Sequence, residues 1–88
     1  MRIDFDLELA KEAQELGEGK IITRKGEEIH IIDWDCCCGL FKIDGCRISD
    51  IYNPSLRYYT IMSWSEEGKY CPHEGSEHDN DLFIEVNL

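Results

Sequence analysis

The sequence predicts an α+β domain in which an N-terminal helix packs on a small antiparallel sheet of five to six strands. Two patterns support this prediction. Apolar residues recur at helical spacing near the N-terminus, and short segments with strand character alternate with tight turns after Lys20. A sheet of this length is expected to bend strongly or to curl into an SH3-like half-barrel. Nothing in the pattern separates these two forms.

The chain has 88 residues, which is enough for one domain and too few for two that each bury a core. We therefore expect a single domain over residues 1–88. The predicted helix occupies residues 1–18, and an antiparallel β meander occupies residues 19–88.

The helix is indicated by an apolar stripe in which Leu9, Ala13 and Leu16 fall at positions i, i+4 and i+7, with Ala10 alongside. Asp6 is a suitable N-cap, because its carboxylate can accept a hydrogen bond from a backbone N–H of the first turn. Gly17 and Gly19 are typical of a helix C-terminus. The helix is short, so it needs a docking surface to be stable.

A β-hairpin follows the helix. Residues 20–23 and 28–35 are the predicted strands, and residues 24–27 form a tight turn that contains Gly26. In the second strand Ile29 and Ile31 lie on one face, and His30, Ile32 and Trp34 on the other.

The remaining strands are indicated by apolar and aromatic segments between turn residues. Residues 56–64 contain the largest group of aromatic and β-branched residues and are expected to form the central strand. The other predicted strands cover residues 38–43, 46–48, 69–71 and 82–86. Turns or loops are predicted at residues 44–45, 49–55, 66–68 and 72–81.

The net charge of the chain is −10, from 9 Lys and Arg against 19 Asp and Glu. Residues 1–18 and 66–88 carry all of this excess, and residues 19–65 are neutral. A protein without a basic face is not expected to bind nucleic acid or an anionic membrane directly. The acidic ends either keep the protein soluble or meet a basic partner, while the neutral centre permits an anionic small ligand.

The chain shows neither an apolar signal-peptide segment nor an apolar run long enough to cross a membrane. We therefore expect a cytoplasmic protein. Its five cysteines are an odd number and include the run Cys36–Cys38, which fits thiols better than a disulfide framework.

Short motifs spread over residues 5–84 carry a resemblance to known proteins. They lie at residues 6–11, 22–26, 68–70 and 80–83. Together they resemble small phage and prophage proteins with a short helix, a Thr-Arg-x-Gly hairpin, an Asp-Gly-Lys-Tyr turn and a closing Asp-x-Asp-Leu-Phe strand. Glu67 departs from the Asp of that pattern, and the Cys36–Cys38 run is foreign to it. The resemblance implies a phage-related, non-enzymatic accessory role.

The layout is also similar to that of small phage sponge proteins, which sequester cyclic nucleotide immune signals and assemble as homo-oligomers. Layout alone does not establish function. It does imply a nucleotide-derived ligand and a homo-oligomer as expectations for this chain.

No residue spacing indicates catalysis. Cysteine, histidine and aspartate are present, but a Gly-rich phosphate loop and a Gly-x-Ser-x-Gly elbow are both missing from the sequence. There is no Cys-x-x-Cys pair, which a structural zinc site would usually contain. We expect no enzyme activity, no cofactor and no metal, although the sequence leaves open whether Cys36–Cys38, Cys71, His73 or His78 bind a metal.

One candidate site combines aromatic rings with arginines. Rings can stack on a nucleobase, and guanidinium groups can bind phosphate. The candidate ligand-binding residues are Arg24, Trp34, Arg57, Tyr59 and Trp64. The alternative is that these aromatic side chains fill the core.

A second candidate site is the acidic segment near the C-terminus. A row of carboxylates can occupy a basic channel that normally binds nucleic acid. Its candidate partner-binding residues are Glu66, Glu67, Glu74, Glu77, Asp79 and Asp81. The alternative is a solvated loop without a partner.

These observations lead to three hypotheses. The first is a phage-related protein that counters bacterial defence by sequestering a cyclic nucleotide signal. The second is an acidic inhibitor that docks on the basic surface of a host defence protein, such as a CRISPR effector. The third is a structural domain that only associates with itself.

Overall fold

The computed structural model describes residues 1–36, 39–52, 61–72 and 77–86. It confirms the α+β class with a sheet that curls into a half-barrel. The elements in chain order are β1 (Arg2–Asp4), α1 (Leu7–Leu16), β2 (Gly19–Thr23), β3 (Glu28–Asp33), β4 (Ile43–Arg47), α2 (Ile48–Ile51), β5 (Met62–Trp64) and β6 (Leu82–Val86). Neither described helix has the length and apolar character needed to cross a bilayer.

The six strands form one antiparallel sheet in the order β1-β6-β2-β3-β4-β5. The prediction of a simple meander is therefore wrong for the last strand, which returns to lie between β1 and β2. Strand β1 was also missed, because residues 1–18 were assigned to the helix alone. Three residues carry too little periodicity to indicate a strand, and β1 is held by its pairing with β6, as in Ile3 opposite Ile84.

Helix α1 has its caps at the predicted residues Asp6 and Gly17, although it spans Leu7–Leu16 rather than residues 1–18. The Asp6 carboxylate accepts a hydrogen bond of 3.0 Å from the Leu9 N–H, and Gly17 ends the helix with a φ of 69°. The predicted apolar stripe is only partly correct, since Ala10 and Ala13 are buried while Leu9 and Leu16 are exposed. Small side chains therefore face the sheet and allow the helix to lie close to it.

The hairpin of β2 and β3 is confirmed. Ile29 and Ile31 are each 2% exposed, whereas His30 and Ile32 face solvent. Gly26 has a φ of 92° in the turn, a conformation that L-residues with a side chain rarely adopt.

The region after the hairpin differs from the prediction. Asp44 and Gly45 lie inside β4 rather than in a turn, and this one strand contains parts of both predicted strands, 38–43 and 46–48, of which Cys38 lies outside the described residues. A Cβ on Gly45 would lie 2.7 Å from the backbone oxygen of His30, so the glycine allows close strand contact. Helix α2 contains Ile48, predicted as the end of a strand, and residues 49–51, predicted as loop.

Strand β5 lies at the end of the described sheet and not at its centre. Most of the predicted strand over residues 56–64 lies outside the described residues. The predicted turn at residues 66–68 is confirmed, with Gly68 at a φ of 79°. Residues 69–71 do not form a strand.

The core between α1 and the sheet consists mainly of Ala10, Ala13, Ile21, Ile29, Ile31, Ile43, Met62, Trp64, Leu82 and Ile84.

Candidate partner-binding site

Asp81 is the buried centre of the acidic C-terminal region. The residue is 1% exposed. Its Oδ1 accepts a hydrogen bond of 2.9 Å from the Tyr70 N–H, and its Oδ2 accepts one of 3.0 Å from the His78 N–H. The Arg24 guanidinium and the Lys69 ammonium lie 3.5 and 3.9 Å from Oδ2. These partners compensate for the removal of the carboxylate from water.

The same partners determine the ionisation of Asp81. Burial alone would raise the pKa of this carboxyl group. The two backbone N–H donors and the charges of Lys69 and Arg24 outweigh burial and hold the pKa below its usual value. Asp81, one of the predicted partner-binding residues, is therefore buried in the described conformation, and both of its carboxylate oxygens already accept hydrogen bonds.

Two turns meet at Asp81 and form one unit. The Leu82 N–H donates to the backbone oxygen of Gly68 at 2.8 Å, which links the turn at 65–69 to the segment at 77–81. The Trp64 indole N–H donates to the backbone oxygen of Asn80 at 2.7 Å. These two bonds connect β5 and both turns, so the loop backbone is held at several points.

Four of the predicted partner-binding residues lie on the surface of this unit. We call this group the acidic cap: Glu66, Glu67, Glu77 and Asp79. The Glu77 carboxylate lies 3.8 Å from Arg24, but its side chain is 81% exposed, and an exposed pair of this kind contributes about 0–1 kcal/mol. Glu74 lies outside the described residues. The cap therefore presents carboxylates to solvent on a fixed backbone.

Of the aromatic and arginine residues of the other candidate site, the structure describes Arg24, Trp34 and Trp64. Trp64 is 0% exposed and its indole N–H is bonded, so in the described conformation it packs in the core, which is the alternative that the sequence leaves open. Trp34 is half-buried with the Lys11 ammonium 5.9 Å from its ring centroid. Arg57 and Tyr59 lie outside the described residues.

Arg24 does contact an aromatic ring, but a different one from those predicted. The Arg24 and Arg2 guanidinium carbons lie 5.0 and 5.2 Å from the centroid of Phe83. The sequence does not indicate this group, because Arg2 comes to Phe83 only through the pairing of β1 with β6. Arg24 also lies between the carboxylates of Asp81 and Glu77, which reduces the positive charge that it offers to an anion.

Metal binding and a reactive thiol both have little support among the described residues. No group of three or more His, Cys, Asp or Glu side chains in this part of the chain is placed to hold a metal ion. Burial, and secondly the charge of Asp50, raises the pKa of the Cys46 thiol. The reactive thiolate is therefore disfavoured at that residue.

Comparisons of the chain with protein-family models, curated proteins and solved structures found no match. A function for this chain must therefore be argued from its own residues.

Proposed function

We propose that the protein is a non-enzymatic binding protein whose acidic cap docks on a positively charged surface of another protein. The observation that supports this proposal most directly is the Asp81 centre. The Asp81 carboxylate accepts hydrogen bonds from the N–H groups of Tyr70 and His78, which follow and flank the acidic residues Glu66, Glu67, Glu77 and Asp79 in the two turns. Charges on an ordered backbone lose less conformational entropy on binding than charges on a flexible tail.

The charge of the whole chain supports the same conclusion. A net charge of −10 on 88 residues attracts basic surfaces over distance and speeds their association at low salt. The surfaces of this kind that are most common in cells are those that bind nucleic acid. We therefore propose that the partner is a nucleic-acid-binding protein. The acidic cap would occupy the surface on which that protein otherwise binds the phosphates of nucleic acid. The resemblance to phage proteins suggests a bacterial defence effector as the specific partner.

Sequestration of a cyclic nucleotide stays a prediction. It has less support from the described residues, because Trp64 is buried and Arg24 is next to two carboxylates. Self-association likewise stays a prediction.

The proposal can be tested by competition with DNA. Purified nucleic-acid-binding defence effectors are loaded with a fluorescent oligonucleotide, and the protein is added while anisotropy is recorded. We expect the wild type to displace the oligonucleotide from at least one effector, with an effect that weakens as salt rises. We expect Glu66→Lys/Glu67→Lys to require at least about tenfold more protein, because like charges then face each other.

The matched control is Glu15→Lys/Asp35→Lys, which changes the net charge equally at exposed positions outside the cap. Its competition curve is expected to stay within about threefold of the wild type. Equal losses in the two double variants would show that only net charge matters and would contradict docking by the cap.

A further inference from the structure

An apolar groove lies between α1 and the side of the sheet formed by β1 and β6. It encloses about 520 Å³, and its apolar lining consists of Ile3, Leu9, Ala13, Ile84 and Val86. A volume of this size is within the range of ligand-binding cavities in proteins. The groove is separate from the acidic cap, which contributes none of its lining residues.

The groove is left open because helix α1 contacts the sheet through small side chains. Ala10 and Ala13 are the buried residues of α1, while Leu9 lies at the groove with 47% of its surface exposed. A leucine that turned fully inward would bury more apolar surface. In the described conformation its side chain instead forms a wall of the groove and leaves the cavity available.

The charge around the groove identifies the kind of molecule that fits it. Glu12 and Glu18 are the two charged residues among its described lining, and both are exposed. Lys11 lies over Trp34 and Arg2 over Phe83, while the Met1 ammonium lies near the groove, where it donates to the Val86 backbone oxygen at 2.8 Å. The exposed carboxylates of the lining would repel another copy of this chain, which carries a net charge of −10. Charge complementarity therefore favours a basic partner over another copy of this chain.

We propose that this groove binds a basic amphipathic segment of a partner protein. Apolar side chains of the segment enter the cavity beside Leu9 and Ile84, and its Lys or Arg residues pair with Glu12 and Glu18. Recognition of this kind uses apolar anchors for affinity and flanking charges for orientation. It does not depend on docking by the acidic cap.

The chain offers two matched pairs of variants for a test. Leu9→Ser alters an exposed leucine in the groove, and Leu16→Ser alters an exposed leucine of the same helix that does not line it. Glu12→Lys and Glu15→Lys make the same comparison for charge, because Glu15 is exposed on α1 but outside the lining. All four positions face solvent, so folding is expected to survive each change.

The experiment titrates a labelled amphipathic peptide of leucine and lysine against each variant. The comparison peptides replace leucine by serine or lysine by glutamate. We expect the leucine–lysine peptide to bind the wild type most tightly and to shift the amide NMR signals of Ala13 and Ile84. Leu9→Ser and Glu12→Lys are expected to weaken binding about tenfold, and Leu16→Ser and Glu15→Lys less than about threefold.

Three results would overturn the proposal. Equal losses for Leu9→Ser and Leu16→Ser would remove the groove as the site. If the serine–lysine peptide bound the wild type as tightly as the leucine–lysine peptide, the interaction would depend on charge alone. A wild-type dimer that Leu9→Ser dissociates would assign the groove to a second copy. The variant Glu66→Lys/Glu67→Lys is expected to bind the peptide within about threefold of the wild type, so failure of the acidic cap proposal is seen separately.

Discussion

The acidic cap and the helix α1 are attached to the sheet by different kinds of contact. The turns that carry the cap are attached by directional polar contacts around Asp81, which accepts two backbone hydrogen bonds and lies close to two cations. Among the described residues, helix α1 is attached mainly by packing through Ala10 and Ala13, together with the hydrogen bonds of Gln14 and the approach of Lys11 to Trp34.

This difference has consequences for both regions. Polar contacts centred on one buried group are directional, so the loss of that group releases several partners at once. Packing by small side chains brings a helix close to a sheet but buries little area per residue. The cap is thus expected to be sensitive to single changes, whereas the helix is expected to be tolerant and leaves an unfilled groove beside it.

The largest effect is expected for Asp81→Asn. The amide keeps the shape of the carboxylate but places an NH2 group where N–H donors and cations converge. We expect unfolding free energy to fall by about 2–4 kcal/mol. Chemical denaturation with Trp fluorescence measures the change. The control Asp79→Asn alters an exposed residue of the same segment and is expected to cost less than about 0.5 kcal/mol. Equal costs would show that Asp81 does not organise the cap.

The comparison of the wild type with Asp81→Asn also gives a prediction for the dependence of stability on pH. The pKa of Asp81 is lowered in the folded protein, so its ionised form stabilises the fold. This stabilisation is complete above the ordinary aspartate pKa of about 3.9 and is lost as the pH falls through the lower, folded-state pKa. We expect the difference in stability between wild type and Asp81→Asn to be constant near neutral pH and to shrink below about pH 4. A difference that grows on acidification would contradict the lowered pKa.

A smaller effect is expected for Gln14→Ala in α1. The Gln14 side chain bonds to both backbone groups of Ile31, as a neighbouring strand would. Its Oε1 accepts a hydrogen bond from the Ile31 N–H at 2.8 Å, and its Nε2 donates one to the Ile31 backbone oxygen at 2.9 Å. Alanine leaves both backbone groups without these partners, and we expect a loss of about 1–3 kcal/mol. Thermal unfolding measures it, with Glu15→Ala as the exposed neighbour for comparison. No difference between the two variants would mean that packing alone holds the helix.

Local chemistry explains which elements the sequence could predict. The hairpin of β2 and β3 combines alternating isoleucines with a glycine turn, and α1 lies between an aspartate cap and Gly17. Each of these signals operates within a few residues. Strand β1 and the return of β6 to the middle of the sheet depend on pairing between opposite ends of the chain, such as Ile3 with Ile84, and no local pattern encodes that pairing.

The candidate site shows the same limit. The sequence indicated that residues 66–81 are acidic, and the structure places Glu66, Glu67, Glu77 and Asp79 at the surface. The sequence could not indicate that Asp81, unlike the other described acidic residues of this segment, is buried, because its burial depends on N–H groups supplied by Tyr70 and His78. The sequence left the place of Trp64 open for a related reason, since an aromatic residue in a strand fits the core and an exposed platform equally well.

The smallest effect is expected for Asp6→Ala, which removes the N-cap of α1. The lost bond is the one that the Asp6 carboxylate accepts from the Leu9 N–H at 3.0 Å, and such caps contribute about 1 kcal/mol. Asp6→Asn is the control, because asparagine also caps and is expected to retain most of the stability. Amide hydrogen exchange adds a regional measurement. Faster exchange is expected in the first turn of α1, while the N–H of Tyr70 keeps its protection. Faster exchange at both places would mean that the helix and the cap unfold together and that their different attachments do not make them independent.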